Sequence, residues 1–318
     1  MNRRMRRRDF LRTGAAAGAA ALVGGLAGAR GVTGQPSVPP DLAVVKGTDY
    51  FAATRMAIDT LGGIKKFVTP GAKVGLLINA PLWWRLPGSH TRPDIALAAI
   101  LACQEAGAGS IHYLTDPAPD YWSKTPLSAK YSAEIASVQK CSKNFVEVAV
   151  PKGTALKKAK VIKELFDCDV FINLPIIKNH EGVSMSGNLK NMMGANTGDT
   201  NQFFHNGSGT KGDYGDIPFI SQCIADHNTL RRPALCIADA TVFLMTNGPQ
   251  GPGELRKLDK VVAGIDPVAV DAYGAVCLDL KPADVPMINK AAELGLGRMD
   301  LDKLAVEEIA LQPIVSGG

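Results

Sequence analysis

The chain has 318 residues, of which 20% are charged and 46% are hydrophobic, and its formal net charge is +5 at pH 7. The positive excess belongs to the N-terminus, because residues 1–29 hold six arginines and one aspartate and leave 29 basic and 29 acidic residues elsewhere. A neutral remainder argues against a nucleic-acid surface, so we expect no nucleic-acid partner. That remainder is long enough to bury one large core or the cores of two lobes.

The N-terminal segment has the pattern of a twin-arginine export signal. Arg7 and Arg8 are followed, after one residue, by "FL", and then by a weakly apolar Ala/Gly stretch that is too short and too Gly-rich for a good membrane span. Small residues at 27–29 fit a cleavage site. We therefore predict a twin-arginine signal peptide over 1–29; a basic tail or a retained anchor is the alternative.

The predicted organisation places a linker over 30–44 and one α/β domain over 45–312. The twin-arginine translocase is then the expected partner during export. The expected location of the mature protein is periplasmic or extracellular.

The six cysteines are too far apart in sequence for the common cofactor motifs. No two are separated by the two or three positions that ferredoxin clusters, zinc fingers and c-type haem attachment require. We expect neither an iron–sulfur cluster nor a c-type haem, and the pattern identifies no other cofactor. Twin-arginine substrates fold in the reducing cytoplasm, so the fold should not depend on disulfides.

Hydrophobic spacing predicts an alternation of helices and strands along the chain. Helical spacing over 50–63 and 92–108, with buried apolar runs over 73–79 and 110–116, predicts a right-handed parallel crossover. Further strands are predicted over 168–175, 233–241, 260–266 and 304–311, with an edge strand over 144–150, a helical or transitional segment over 156–167, and helices over 266–280 and 284–297. The predicted fold class is α/β: a mostly parallel sheet flanked by helices, in one body or two lobes.

Polar residues end several of the predicted strands: Asn79, Asp116, Asn173, Asp239 and Asp266. Ligands of parallel sheets bind beyond the carboxyl ends of the strands, so these side chains would converge at one edge. Asp and Asn at such positions also cap helices and hold turns. Asp266, which precedes a proline, is predicted to be a helix cap.

The stretch "NLPIIKNHEGVSMSGNLKNMMG", over 173–194, concentrates basic and amide side chains directly after a predicted buried strand. Lys178 and His180 are two residues apart and would share one side of an extended segment. Unpaired buried charge costs on the order of 3 to 5 kcal/mol, so lysines at this position imply a bound anion. We predict one concave site at the carboxyl edge of the sheet, formed by Lys178, His180, Lys190, Asn191, Asn79 and Asp239; the alternative is two separate, exposed lysines.

The chain resembles the DUF362 family over about 45–310, in "INLPIIKNHEGVSMSGNLKNMMG", His205, "IADATVFLMTNGPQGPG" and "AGIDPVAVDAYG". A lysine common in the family's first strand is replaced here by Leu77. Some members carry ferredoxin-like modules, which this chain's cysteine spacing does not match. The resemblance supplies no reaction, and it points to these positions: Lys178, His180, Lys190, Asn191, His205, Asp239, Gly248, Pro249, Asp266 and Asp271.

The first functional hypothesis is an exported enzyme, or a binding protein, for a small anionic molecule. Its catalytic residues would be Lys178, His180 and Lys190, with His180 exchanging a proton near neutral pH and Lys178 acting as anion ligand, base or Schiff-base nucleophile. Its ligand-binding residues would be Asn79, Asn191, His205, Asp239 and Asp271.

Two other hypotheses belong to different classes. A metal-dependent enzyme could use His180, His205, Asp239 and Asp271, although no H-x-x-x-H spacing is present and the neighbouring lysines oppose a cation. A non-enzymatic accessory of a periplasmic redox or iron–sulfur system would instead require a redox partner protein.

Overall fold

The computed structural model describes residues 38–82, 86–206 and 216–312. The strands are β1 (Leu42–Lys46), β2 (Lys73–Ile78), β3 (Ser110–Tyr113), β4 (Phe145–Ala149), β5 (Lys158–Ile162), β6 (Val170–Leu174), β7 (Lys178–His180), β8 (Ser184–Ser186), β9 (Leu235–Leu244), β10 (Leu255–Gly264) and β11 (Val306–Ala310). The helices are α1 (Tyr50–Thr60), α2 (Pro93–Glu105), α3 (Leu127–Lys130), α4 (Ser132–Ser137), α5 (Glu164–Asp167), α6 (Asn188–Asn191), α7 (Gly198–Asn206), α8 (Ile217–Asn228), α9 (Pro267–Cys277) and α10 (Pro286–Glu293). The predicted signal peptide and the linker up to residue 37 lie outside the described residues.

A seven-stranded sheet forms the centre, in the order β11-β1-β10-β9-β6-β2-β3. Only β10 runs antiparallel to its neighbours in this sheet; the other neighbouring pairs are parallel. The predicted α/β class with a mostly parallel sheet is confirmed. The described residues group as one compact unit, as in the single-body form of the predicted fold.

Helices cover both faces of the sheet because its strands are apolar on both sides. Along β6, Val170 and Ile172 pack into the core beneath α1 and α2, while Phe171 faces the core beneath α8, α9 and α10. Within the described residues, no helix has both the length and the apolar character needed to cross a membrane.

Two local assignments differ from the sequence prediction. Strand β1 starts at Leu42, inside the segment predicted to be linker. The prediction missed the start of this strand because its short apolar run follows two prolines, which are typical of a loop. Strand β4 lies in the segment predicted to be an edge strand, and β5 lies in the segment predicted to be helical or transitional. The two strands form a separate antiparallel pair outside the main sheet. Burial alternates along β5, with Lys158 and Lys160 exposed beside buried Ala159, which is a strand period.

The antiparallel direction of β10 removes Asp266 from the predicted edge, because the carboxyl end of β10 lies beside the start of β9. Asp266 Oδ1 accepts hydrogen bonds from the backbone N–H groups of Val268 at 2.9 Å and Ala269 at 3.0 Å, which confirms the predicted helix cap. Asp116 joins two loops that are distant in sequence, by accepting a hydrogen bond from the backbone N–H of Cys141 at 2.8 Å.

Candidate functional site

The hairpin formed by β7 and β8 follows the carboxyl end of β6 in the chain, and its first strand carries Lys178 and His180. Residues 175–177 first follow β9, where the Asp239 N–H donates to Pro175 O and the Ile177 N–H donates to Asp239 O, both at 2.9 Å. In the hairpin, Lys178 pairs with Ser186. Lys178 and His180 are buried and the residue between them is half-buried, as expected for a strand with one inward face.

Gly248 fixes the outward side of this hairpin. Its backbone N–H donates to Asn179 Oδ1 at 3.0 Å, and its carbonyl accepts from the Glu181 N–H at 3.2 Å. A Cβ atom at Gly248 would lie 1.8 Å from the carbonyl oxygen of Asn179, so no larger residue fits without displacing the hairpin. The Gly/Pro-rich loop over 247–253 therefore supports the strand that carries Lys178 and His180.

Asp271 orients the helical turn that carries Lys190. Its Oδ1 accepts from the Asn188 N–H at 2.6 Å and its Oδ2 from the Leu189 N–H at 2.9 Å, so it caps α6 from α9. The turn begins at Gly187, where a Cβ atom would lie 2.3 Å from Asp271 Oδ1. Burial raises the pKa of Asp271 to about 6, against the lowering effect of these hydrogen bonds. Asp271, which was predicted to bind a ligand, therefore positions the turn that carries Lys190.

A chain of amides joins α6 to the ends of β2 and β6. Asn191 Nδ2 donates to Asn173 Oδ1 at 2.7 Å and to Leu77 O at 3.1 Å, and Asn191 Oδ1 accepts from Asn79 Nδ2 at 2.8 Å. Asn173 Nδ2 in turn donates to Asn188 O at 2.9 Å. Among the described residues, Asn79 Oδ1 is buried with no hydrogen-bond partner. The side chain of Asn191 therefore holds the scaffold together, while Asn79 keeps one buried acceptor without a donor among the described residues.

Four basic side chains from three segments act on one another at this edge. Burial, and then the charge of Lys190, hold the pKa of Lys178 well below its ordinary value, and burial lowers the pKa of Lys190 to about 8. The pKa of His180 falls to about 2 because of burial and then the charges of Lys190, Lys178 and His205. Burial and Lys190 lower the pKa of His205 to about 4. We call Lys178, His180, Lys190 and His205 the basic cluster.

His180 is neutral in this environment, with a defined tautomer. Its Nδ1 accepts a hydrogen bond from the Gly182 N–H at 3.1 Å, which places the ring proton on Nε2. A ring with a pKa near 2 does not exchange protons at neutral pH, in contrast to the role predicted for it from sequence. The neighbouring positive charges are part of the cause, so an anion beside the ring would raise its pKa.

Asp239 lies under the loop that contacts Lys178. Lys178 Nζ donates to Ser89 O at 2.5 Å, and Asp239 Oδ2 accepts from the backbone N–H of Arg92 at 2.8 Å in the same loop. Asp239 Oδ1 accepts from the N–H and the hydroxyl of Thr241 at 2.9 and 2.7 Å. Burial raises the pKa of Asp239, against these hydrogen bonds. Its carboxylate therefore positions the loop.

In the part of the chain that the structure describes, no set of side chains supports the hypothesis of a metal site. No group of three or more His, Cys, Asp and Glu side chains there is arranged to hold a metal ion. Asp239 and Asp271, two of the four predicted ligands, bind backbone N–H groups at separate places, and His180 lies beside two lysines.

Sequence reasoning missed His90, which lies in the loop between β2 and α2. Burial, and then the charges of Lys124 and Lys178, lower the pKa of His90 to about 4. The loop follows the same strand end that made Asn79 a candidate, so its position after a parallel strand was the available signal.

The comparisons with known proteins identify the chain's relatives. A family model described as a domain of unknown function, DUF362, matches residues 74–276. Thylakoid-associated protein sll1697 from Synechocystis sp. is 28% identical over 251 residues, which cover 77% of this chain and 75% of the relative.

Two solved structures show a more distant likeness. The lactate racemase apoprotein from Thermoanaerobacterium thermosaccharolyticum gives a TM-score of 0.41 at 12% identity, over 72% of this chain and 55% of the racemase chain. A protein from Thermotoga maritima gives a TM-score of 0.40 at 13% identity, over 74% of this chain and 60% of the other. The chain thus spans less than two thirds of the length of either structure. The family match confirms the resemblance drawn from the motifs and covers more than half of the sequence, so the chain belongs to the DUF362 family, a domain of unknown function.

Proposed function

We propose that the protein is an enzyme, or a binding protein, for a small anionic molecule that is held by the basic cluster. The observation that carries the proposal is the burial of Lys178, His180 and Lys190, with half-buried His205, at positions where these basic groups lower one another's pKa values. A bound anion would replace that repulsion by attraction.

The surroundings of the cluster support binding over simple packing. An apolar side chain would fill the place of Lys190 without a desolvation cost, yet the fold uses the buried carboxylate of Asp271 and three asparagines to orient the turn that carries it. Asn79 Oδ1, which lacks a donor among the described residues, adds an acceptor for a ligand hydroxyl or amine.

The cluster offers distinct chemical roles. Lys190 remains a cation at neutral pH, with a pKa of about 8, and would bind the anion directly. His180 would donate from Nε2 and would gain proton affinity once the anion is bound. The pKa of Lys178 is held well below its ordinary value by burial and then by the charge of Lys190, so its ammonium group would lose a proton more readily and give the amine that accepts a proton or attacks a carbonyl carbon.

Ligand-dependent thermal stabilisation tests the proposal. Purified protein without residues 1–29 is screened against small carboxylates and phosphates, as wild type and as Lys178→Met, Lys190→Met and the control Lys152→Met, whose lysine is exposed. A ligand present at 100 times its Kd should stabilise the wild type and the control by about 2.7 kcal/mol. It should not stabilise Lys178→Met or Lys190→Met. Equal stabilisation of all four proteins by the anions that bind would overturn the proposal, as would a screen in which no anion binds.

We also propose twin-arginine export to the periplasm or the exterior, supported by the arginine pair and the segments that follow it. Replacing Arg7 and Arg8 with lysines should leave folded precursor in the cytoplasm. A normal periplasmic yield from that variant would count against this assignment.

A further inference from the structure

The positive charge of the chain beyond residue 29 is concentrated in one short segment. Residues 140–163 hold seven lysines and one glutamate, which leaves 22 basic and 28 acidic residues in the rest of the chain outside 1–29. All seven lysines are exposed: Lys140, Lys143, Lys152, Lys157, Lys158, Lys160 and Lys163. The segment contains β4 and β5, and we call it the lysine hairpin. A chain that is neutral as a whole therefore carries its positive excess in one hairpin.

The fold holds the turn of the lysine hairpin in place. Asp226, on α8, is fully buried, and its Oδ2 accepts hydrogen bonds from the N–H groups of Thr154 at 2.8 Å, Ala155 at 2.7 Å and Leu156 at 2.9 Å. Strands of this length span about 17 Å, which is about two Debye lengths at physiological salt. The lysines on the turn and on β5 are therefore close enough for their electrostatic potentials to add.

Few carboxylates oppose this charge. Among the described residues, only Lys158 and Lys163 of the lysine hairpin form ion pairs, with Glu147 and Asp167. Two other carboxylates that contact the hairpin bind its backbone N–H groups: those of Asp116 and Asp226. Seven cations thus meet four contacting carboxylates, and five of the lysines have no ion-pair partner in the described part of the chain.

The types of side chain indicate the kind of partner. Residues 140–163 contain no arginine, tryptophan or tyrosine, the residues that supply most of the binding energy of protein interfaces, whereas lysine is depleted there. Recognition of nucleic-acid bases likewise relies on arginine forks and aromatic stacking. A lysine is a compact, hydrated charge on a flexible stem, and an anionic membrane attracts it without requiring a fixed geometry. This composition favours a lipid surface.

We propose that the lysine hairpin is a peripheral docking surface for a lipid bilayer with anionic headgroups. The lysines without ion pairs supply the attraction: Lys140, Lys143, Lys152, Lys157 and Lys160. All five lie outside the basic cluster, so the inference goes beyond the proposed function and holds whether or not a small anion binds there. The protein rests on the headgroups and does not enter the hydrocarbon, because the attraction comes from charges that remain hydrated.

A structural reading of the same lysines makes a different prediction. Strands β4 and β5 form a two-stranded sheet outside the main sheet, and charged side chains on short exposed sheets prevent strands of different molecules from pairing. In that case, removing the lysines would cause self-association and would leave membrane binding unchanged.

Co-sedimentation with phosphatidylcholine vesicles, with and without phosphatidylglycerol, tests the proposal. The protein begins at residue 30, which keeps every described residue, because the arginines of 1–29 would bind the same vesicles. The wild type is compared with a hairpin variant, Lys152→Gln/Lys157→Gln/Lys160→Gln, and with a control variant, Lys65→Gln/Lys73→Gln/Lys281→Gln, whose lysines are also exposed. Each lysine beside an anionic surface should change the affinity about fivefold, so the hairpin variant should bind about a hundredfold more weakly than the wild type and the control.

The outcomes distinguish the lipid surface from its alternatives. Binding should require phosphatidylglycerol and should fall as salt rises. A wild type that does not respond to phosphatidylglycerol, or a hairpin variant that binds as well as the control, overturns the proposal. Self-association of the hairpin variant with unchanged vesicle binding supports the structural reading instead.

Two competitors separate lipid from other polyanions. Polyglutamate and oligothymidylate are added at the same concentration of charge as the phosphatidylglycerol. If either displaces the wild type from the vesicles, the partner is an acidic protein or a nucleic acid, and the lipid assignment fails. Melting curves check that each protein is folded, and the same variants in the full-length chain should keep their order of affinity.

Discussion

The carboxylate of Asp271 accepts a hydrogen bond from the backbone N–H of Asn188 at 2.6 Å, and through this contact helix α9 sets the direction of α6. Helix α6 has only four residues, too few to be stable by itself, so its orientation depends on this cap and on its packing. Lys190 is the third residue of that turn. The position of one cation of the basic cluster is thus set by a buried carboxylate on another helix.

Asp271→Ala should therefore destabilise the protein strongly. The change removes a helix cap and leaves two buried N–H groups without an acceptor, with an expected loss of about 2 to 4 kcal/mol in the free energy of unfolding. Urea unfolding of the wild type and the variant measures it. A loss below about 0.5 kcal/mol, the level of an ordinary surface change, would contradict the role assigned to Asp271.

Asp271→Asn removes the titration of the same group; because it also replaces one accepting oxygen by an NH2 group, only the pH dependence of stability is compared. Burial raises the pKa of the carboxyl from its ordinary 3.8 to about 6, so the native state binds more protons than the unfolded state between these values. This group therefore lowers stability as pH rises from about 4 to about 6, and its contribution is constant above that range. Relative to the variant, the wild type should lose on the order of 3 kcal/mol over that interval. Parallel pH profiles of the two proteins would contradict the raised pKa.

Gly248→Ala should disturb the hairpin that carries Lys178 and His180. The added Cβ would lie 1.8 Å from the carbonyl oxygen of Asn179, so the loop or the strand must move. Overpacking of this kind costs about 1 to 3 kcal/mol, and anion binding should weaken with it. Gly198→Ala is the matched control, since nothing lies within 4 Å of its added Cβ. Unfolding and ligand titration of both variants check this, and equal stability of the two would contradict the close approach.

Lys190→Met should have opposite effects on stability and on binding. Without ligand, replacing a buried cation by an apolar side chain removes its desolvation cost and should maintain or raise the free energy of unfolding at pH 7. Anion stabilisation should disappear in the same variant.

The sign of the pH dependence adds a second test of Lys190. Burial lowers the pKa of Lys190 from 10.5 to about 8, so between these values the unfolded state binds more protons than the native state. Its contribution to wild-type stability should therefore increase as pH rises from about 8 to about 10.5, by on the order of 3 kcal/mol relative to the variant. Denaturation at pH 7 and pH 10 measures this difference, and a wild type that gains nothing over Lys190→Met would argue against a buried cation.

Three residues of the basic cluster could be found from sequence because their signal is local, whereas His205 was indicated only by the family resemblance. Lys178 and His180 are two positions apart on a strand, so a period of two places them on one face whatever the rest of the fold does. Lys190 follows within one short segment. The mostly parallel sheet was predictable for the same reason, since continuous apolar runs such as that of β6 indicate strands buried on both faces.

Long-range relationships were the part that sequence could not supply. The direction of β10 depends on which strand it pairs with, and a single reversal moved Asp266 to the opposite edge of the sheet. Asp239 was predicted to bind a ligand from its place at a strand end and Asp271 from the family resemblance, but the backbone groups that they hold lie 147 and 83 positions away in the sequence. His90 lies beside the basic cluster because its loop contacts Lys178 through Ser89 O, 89 positions away in the sequence.

His180 should change its protonation when an anion binds. Without ligand, burial and then the charges of Lys190, Lys178 and His205 hold its pKa near 2, so its ring should stay neutral, with the proton on Nε2, throughout the acidic range in which the protein remains folded. An anion in the basic cluster opposes those charges and should raise the pKa of His180. His227 is the internal control, because its pKa of about 4 is lowered by burial alone. Nitrogen-15 NMR of the histidine rings, assigned with His180→Gln, follows both residues from pH 4 to pH 8 with and without the anion that binds best. The His180 resonance should begin to titrate only in the presence of ligand, whereas the His227 resonance should not respond to it. A His180 ring that titrates near neutral pH without ligand, or that ignores a bound anion, would contradict its place in the cluster.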